Sequence, residues 1–208
     1  MAGLMDILRS LWADRSPCPE ESPSETLSRL KSMGRDGNLR DIPPIFNLVF
    51  HRDDKISAQA AETVRLLLDN IPDSDWSGLY PRFRYLHLNS SRVRLLAEFE
   101  DVTAVHLLGI ATLNGNGRIR EKALRLLGDL EHPLVLPYLL LRQLDWVDRI
   151  RIRAHKLLEL RLKAEKVSVS EVAKHYRLVE KLDRVSRIDL SSIIKVVFDW
   201  LRSPEHRA

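Results

Sequence analysis

The chain repeats one short pattern five times along its 208 residues, and this repetition restricts its fold more than any other feature. Each copy has a basic residue, a β-branched aliphatic residue directly after it, and an alanine or serine five places after the basic one. The copies read KISAQA from Lys55, RVRLLA from Arg92, RIREKA from Arg118, RIRIRA from Arg149 and RIDLSS from Arg187. They are 37, 26, 31 and 38 residues apart, which is typical of proteins built from stacked helical units. The pattern therefore predicts a repeat protein.

Each copy is expected to begin the second helix of a helical pair. An apolar segment such as IPPIFNLVF precedes it, and a polar turn such as HRDD separates the two. Within the second helices, residues such as Ile119, Ala123 and Leu127 fall on one stripe, where the small residue lets the first helix cross closely. We therefore expect an all-α protein, a short right-handed α-solenoid of about five antiparallel helical hairpins.

The copy from Arg92 departs from the others. Glu100 and Asp101 follow it where aliphatic residues are expected, and the next copy begins after only 26 residues. We therefore expect a short second helix in this pair.

Three regions are expected. Residues 1–15 form an amphipathic helix with Leu4, Ile7, Leu8 and Leu11 on one side, residues 16–24 form a Pro/Ser-rich linker, and residues 25–208 form a single repeat domain. We interpret the first helix as a lid over the open end of the repeats, although a tethered docking helix for a partner fits the same pattern.

The turns before the second helices resemble those of the HEAT-repeat family. The residues that carry the resemblance are Asp54-Lys55-Ile56, Gly117-Arg118-Ile119-Arg120 and Asp148-Arg149-Ile150-Arg151, with prolines inside first helices at Pro133 and Pro137. The resemblance covers roughly residues 41–201. It implies an interaction scaffold, since such proteins serve mainly as scaffolds and a minority bind nucleic acid or act on it. It also implies that Arg120 and Arg151 reach acidic residues in neighbouring repeats.

Charge is unevenly distributed. Residues 1–75 hold 9 Lys and Arg against 13 Asp and Glu, whereas residues 142–187 hold 13 against 7. A basic later half favours an anionic partner. The basic residues off the apolar stripe, which we call the basic strip, are Lys122, Arg125, Arg153, Lys156 and Arg161. We expect the strip to lie on the concave face and to bind an acidic protein segment or a nucleic acid, with Trp76 as an exposed aromatic contact.

No catalytic, cofactor or metal site is expected. The seven histidines show no HxxxH or HExxH spacing, Cys18 stands alone, and NGNG at 114–117 lacks the Lys-Ser/Thr pair of a phosphate loop. The longest uncharged apolar run, Pro133 to Leu141, is far shorter than the roughly 18 residues of a membrane span. We therefore expect a cytoplasmic protein that is not an enzyme and takes no small-molecule substrate.

Two functions remain open at this point. The first is a non-enzymatic scaffold that binds a protein through its concave face. The second is a nucleic-acid binder related to the HEAT-like DNA glycosylases, which would require an acidic residue in a basic cleft flanked by aromatics. Asp145 beside Trp146 is the one such pairing, but it lies in a turn and receives no catalytic role. Trp146 itself is interpreted as a packing residue.

Overall fold

The computed structural model describes residues 22–69, 71, 79–164 and 166–168, together with the separate positions 171, 175, 178, 195, 199 and 202–204. Over these residues the secondary structure is helical with no strand, which confirms the all-α prediction. The α-helices are α1 (Pro23–Asp36), α2 (Ile42–Leu48), α3 (Asp54–Asp69), α4 (Leu79–Phe83), α5 (Ser90–Leu95), α6 (Asp101–Ala111), α7 (Gly117–Asp129), α8 (Val135–Arg142) and α9 (Asp148–Lys163). The expected helix over residues 1–15 and the copy from Arg187 lie outside the described residues.

Helix α1 begins earlier than the expected end of the linker at residue 24. Ser22 is its N-cap, and its hydroxyl accepts a hydrogen bond from the Glu25 amide at 3.3 Å while the Glu25 carboxylate accepts one from the Ser22 amide at 2.8 Å. Pro23 occupies the first helical position, where its missing N–H costs nothing. Helix α1 therefore begins within residues 16–24, the range expected for the linker, because Ser22 accepts a hydrogen bond from the Glu25 amide.

The helices pack in sequential pairs, α2 with α3, α6 with α7 and α8 with α9, while α1 and α6 both lie against α3. The small residues of three copies, Ala60, Ala123 and Ala154, expose none of their surface. They are therefore buried, as the repeated pattern predicts for positions at which a neighbouring helix passes closely.

The short second helix expected after Arg92 is also confirmed. Helix α5 has only six residues and continues as one 3-10 turn over Leu96–Glu98. Helix α6 begins three residues later at Asp101, so the chain leaves this helix before the aliphatic positions that the longer copies fill.

Helix α6 is buried from Thr103 to Ala111, and every residue of α8 is buried as well. It contacts α3, α7 and α8, so apolar residues surround it on several sides. Gly109 lies where α8 crosses it, and a Cβ there would stand 2.3 Å from Cζ of Tyr138. The glycine therefore lets the Tyr138 ring lie directly on the α6 backbone.

Arg120 joins one helical pair to the next, as the resemblance implies. Its Nε and Nη2 donate to the two carboxylate oxygens of Asp145 at 2.8 and 2.9 Å, and its Nη1 donates to the carbonyls of Asn114 and Gly115 at 3.0 Å each. Arg142 also donates to Asp145, at 3.0 Å, and its burial lowers the pKa of its guanidinium to about 10. Asp145 is 1% exposed and bound by two arginines, so it does not face a cleft.

Arg151, at the same place in the following copy, makes different contacts. Its guanidinium donates to the Asp145 carbonyl at 3.0 Å and to the Asp148 carboxylate at 2.7 Å. Both partners belong to its own helical pair, so the expected link to an acidic residue of a neighbouring repeat does not appear among these contacts.

Candidate partner-binding site

A cleft of about 250 Å³ lies between α7 and α9. Arg118, Glu121, Lys122 and Arg125 line it from α7, because residues three and four apart share one face of a helix, and Arg153 lines it from α9. The structure therefore brings together three residues of the basic strip, Lys122, Arg125 and Arg153.

Arg94 of α5 extends this group of cations. Helix α5 packs against α7, and partial desolvation, together with the positive charges of Arg94 and Arg125, lowers the pKa of the Lys122 ammonium. Both arginines are therefore close enough to Lys122 to disfavour its charged form. We call the five residues Arg94, Arg118, Lys122, Arg125 and Arg153 the basic cluster.

The cleft has one carboxylate, and another residue already binds it. Oε2 of Glu121 forms an ion pair with Nη2 of Arg149 at 2.8 Å. Within the part of the chain that the structure describes, the ion pairs that form do not include any side chain of the basic cluster. The cluster thus presents five positive charges that the described residues leave uncompensated.

Two other residues of the strip lie elsewhere. Lys156 is exposed on α9, three residues after Arg153, but it does not line the cleft. Arg161 is only 5% exposed, and its Nη2 donates to the carbonyls of Gly128 and Leu130 at the end of α7. Burial lowers the pKa of Arg161. The expectation that Arg161 belongs to an exposed strip is therefore wrong, because it caps the carbonyls of the neighbouring helix. Trp76 lies outside the described residues.

Sequence reasoning missed Arg94 and Arg118 as members of the cluster. Arg118 is the first residue of its copy and Arg94 is the third of another. Both residues were therefore interpreted as part of the repeated pattern and not as part of a site. A comparison of the turns contains the missing signal. Asp145, which binds Arg120, stands four places before the next copy, and the same place after Arg94 is Asn114. An asparagine offers no charge to a guanidinium, and Arg94 is exposed.

A groove of about 500 Å³ lies between α3 and α5. We call it the apolar groove after its apolar lining residues Val49, Phe50, Ala58, Leu95 and Phe99. Its polar lining residues are His51, Asp54, Ser57, Arg92 and Glu98. Leu95 is 46% exposed there and directly follows Arg94 in the chain. Helix α5 therefore supplies neighbouring residues to both the apolar groove and the basic cluster.

Exposed aromatic residues form a second surface. Trp146 is 58% exposed, so its interpretation as a packing residue is wrong. The Arg120 guanidinium carbon lies 4.2 Å from the centroid of its ring, and the Tyr80 ring meets it edge-on at 5.7 Å. Tyr85 is 72% exposed, with Arg84 stacked 4.9 Å from its ring centroid. The indole is held between an arginine and a tyrosine and still faces solvent.

Among the described residues, no three His, Cys, Asp or Glu side chains are arranged to hold a metal ion. The same part of the chain has no helix long and apolar enough to cross a membrane. Comparison with protein-family models, with curated proteins and with solved structures finds no match to this chain.

Proposed function

We propose that this chain is a non-enzymatic interaction scaffold, a short HEAT-like α-solenoid that binds an acidic segment of a partner protein. The sequential pairing of helices and the buried alanines of the repeated pattern support the repeat architecture. In such a stack the second helices, here α3, α5, α7 and α9, line one face. The basic cluster and the apolar groove both lie on these helices.

One observation carries the proposal: five cations without described ion pairs lie on three of these helices, and one of the three, α5, also lines the apolar groove. Like charges this close destabilise the free protein, so an anionic partner would gain from pairing with them. A peptide can place acidic side chains in the cleft and an apolar side chain in the groove. The groove favours a protein over a nucleic acid, whose outer surface is polar.

A nucleic acid is the second candidate, and the exposed Trp146 and Tyr85 favour it. Bases stack on exposed aromatic rings regardless of sequence, and neighbouring arginines add to this attraction. This reading requires the partner to contact the aromatic surface as well as the basic cluster.

Affinity capture with matched variants tests the proposal. The cluster variant changes three residues of the basic cluster, Lys122, Arg125 and Arg153, and the nearby exposed Lys156 of the basic strip to Ser. The control variant changes Lys31, Arg35, Arg40 and Lys55, which are exposed elsewhere, to Ser. Both variants lose four positive charges, so a general charge effect cancels in the comparison. We expect both to fold, the control to capture the same partner as the unaltered chain, and the cluster variant to lose it.

Each other outcome has a defined meaning. Equal capture by the two variants would mean that the cluster is a solvated charged face that does not bind this partner. Loss of every captured partner on nuclease treatment would replace the protein partner with a nucleic acid.

A further inference from the structure

We propose that the basic cluster binds the phosphate group of a phosphorylated peptide segment, so that phosphorylation of the partner switches its binding on. This inference rests on the proposed function and specifies its ligand. Its basis is the number, type and arrangement of the cations around one small cleft.

The number of charges favours phosphate over carboxylate. A carboxylate carries one negative charge, whereas a phosphate monoester carries about 1.5 to 2 at neutral pH. The cleft has an excess of cations even after its own Glu121 is considered, because Arg149 pairs with that carboxylate. A single acidic side chain would leave most of the cluster uncompensated, and a dianion offsets more of it from one position.

The residue types favour the same ligand. Arg118, Arg125 and Arg153 each present a planar guanidinium, which donates two parallel hydrogen bonds to phosphate oxygens. Because these arginines come from both α7 and α9, a group between the helices can meet donors from two sides. A phosphate has three terminal oxygens to accept from several donors, and a carboxylate has two.

Lys122 provides an internal reporter of the bound anion. Desolvation and the charges of Arg94 and Arg125 lower the pKa of its ammonium in the free protein. A bound phosphate would offset those charges, and the pKa of Lys122 would rise towards its ordinary value. An NMR pH titration of selectively labelled lysines can measure this change in the pKa of Lys122 independently of affinity.

A phosphopeptide is favoured over the phosphodiesters of a nucleic acid because of the apolar groove. Leu95, which directly follows Arg94 in the chain, lines the groove together with Phe99. A peptide that places a phosphorylated side chain in the cleft can continue towards the groove with an apolar residue. A nucleic-acid backbone offers the cleft only one charge per phosphate and offers the groove no aliphatic group.

Two fluorescent peptides of equal nominal charge test the inference. One carries two phosphoserines, the other four glutamates in the same apolar context, and binding is measured by anisotropy at about 0.15 M salt. We expect the phosphopeptide to bind about tenfold or more tightly, since bidentate charge-assisted bonds are the stronger ones. The triple change of Lys122, Arg125 and Arg153 to Ser should remove this preference, whereas Ser at Lys31, Arg35 and Lys55 should keep it.

A conservative variant guards against misfolding as an explanation. Arg153→Lys keeps the charge and loses the guanidinium fork, so we expect it to weaken phosphopeptide binding several-fold with little effect on the glutamate peptide. Circular dichroism and thermal melts of every variant establish that it is folded. Equal losses for both peptides would overturn the assignment of a phosphate geometry.

The remaining outcomes separate this inference from the function on which it rests. Equal binding of both peptides would overturn the phosphate preference and leave the acidic-segment scaffold standing. Binding of neither peptide would overturn the scaffold proposal as well. Competition by inorganic phosphate as effective as the phosphopeptide would assign the cleft to the free ion. Stronger competition by a single-stranded oligonucleotide would assign it to a nucleic-acid backbone.

Discussion

Arg94 and Arg120 occupy the same place in their repeats, yet Arg94 is exposed and Arg120 is fully buried. Four places before the next copy of the pattern stands Asn114 for Arg94 and Asp145 for Arg120, and only Asp145 supplies a carboxylate. A buried guanidinium requires a carboxylate and carbonyls around it, and Asp145 provides the carboxylate. Arg94 thus has no carboxylate at the place that Asp145 occupies for Arg120, and its side chain is exposed.

A buried chain of hydrogen bonds shows the same dependence on individual residues. His106 is 1% exposed; its Nε2 lies 2.9 Å from Oδ1 of Asp69 and its Nδ1 lies 2.9 Å from the Tyr138 hydroxyl. The Asp69 carboxylate only accepts, so Nε2 of His106 donates to it, and in the neutral imidazole Nδ1 accepts from the Tyr138 hydroxyl. Burial raises the pKa of Tyr138, so this hydroxyl keeps its proton. This chain ties α3, α6 and α8 together.

The pKa of Asp69 gives a pH-dependent prediction. The hydrogen bond from His106 lowers this pKa, so the carboxylate stabilises the fold above its ordinary pKa of about 4, and this contribution is lost as the pH falls through the lower, folded value. Asp69→Asn should cost about 1 kcal/mol at pH 7, a discounted figure because the carboxyl is partly exposed. Urea unfolding at several pH values should show the gap between variant and unaltered chain narrowing below about pH 4. A gap that stays constant with pH would contradict the role of the charge.

At the scale of the elements, the contact between α6 and α8 depends on Gly109, which has no side chain. Gly109 costs helix stability on its own, since glycine is about 1 kcal/mol less favourable than alanine inside a helix. The Tyr138 ring occupies the space that a Cβ would take, with ring atoms at 2.3 to 2.5 Å. Tyr138 in turn contacts His106, so the close approach of the helices and the buried hydrogen bonds support each other.

Gly109→Ala should therefore destabilise the protein by about 1–3 kcal/mol, although alanine is the better helix former. Gly34→Ala is the matched control in α1, because its Cβ would meet the flexible end of Leu66 at 3.1 Å, which can move. We expect the control to be neutral or slightly stabilising in thermal melts. Tyr138→Leu combined with Gly109→Ala should recover part of the loss. Similar thermal midpoints for Gly109→Ala and Gly34→Ala would show that α6 and α8 can separate without cost.

At the scale of the whole molecule, the repeat determined how much could be predicted from sequence. Its phase placed Ala123 and Ala154 correctly in the core, because a local period reports which side of a helix is buried. The same phase could not place Arg161, whose partners are carbonyls more than 30 residues earlier. Nor could it reveal the bond between His106 and Asp69, 37 residues apart in the chain. Partners that folding brings together from distant positions leave no trace in a local pattern, whereas Arg118, four residues before Lys122 on α7, could have been added to the cluster from helical spacing alone.

The uncompensated charge of the basic cluster also affects the stability of the whole molecule. Salt screens repulsion between exposed cations, but it equally weakens exposed ion pairs such as that of Arg149 with Glu121. The net effect of salt on the unaltered chain therefore combines two opposing contributions. A comparison with the cluster variant isolates the repulsion, since that variant retains the described ion pairs.

We expect the thermal midpoint of the unaltered chain to rise more with salt than that of the cluster variant, by about 1–3 °C between 0.01 and 0.2 M NaCl. This range corresponds to a few like-charge contacts of some tenths of a kcal/mol each. At low salt the cluster variant should be as stable as the unaltered chain or slightly more so, because it lacks the repulsion. The control variant, with its four changes at Lys31, Arg35, Arg40 and Lys55, should follow the unaltered chain. Parallel salt dependence of all three proteins would mean that the cations of the cluster do not repel one another in solution. In that case repulsion among these cations would give no reason for the free site to bind an anion.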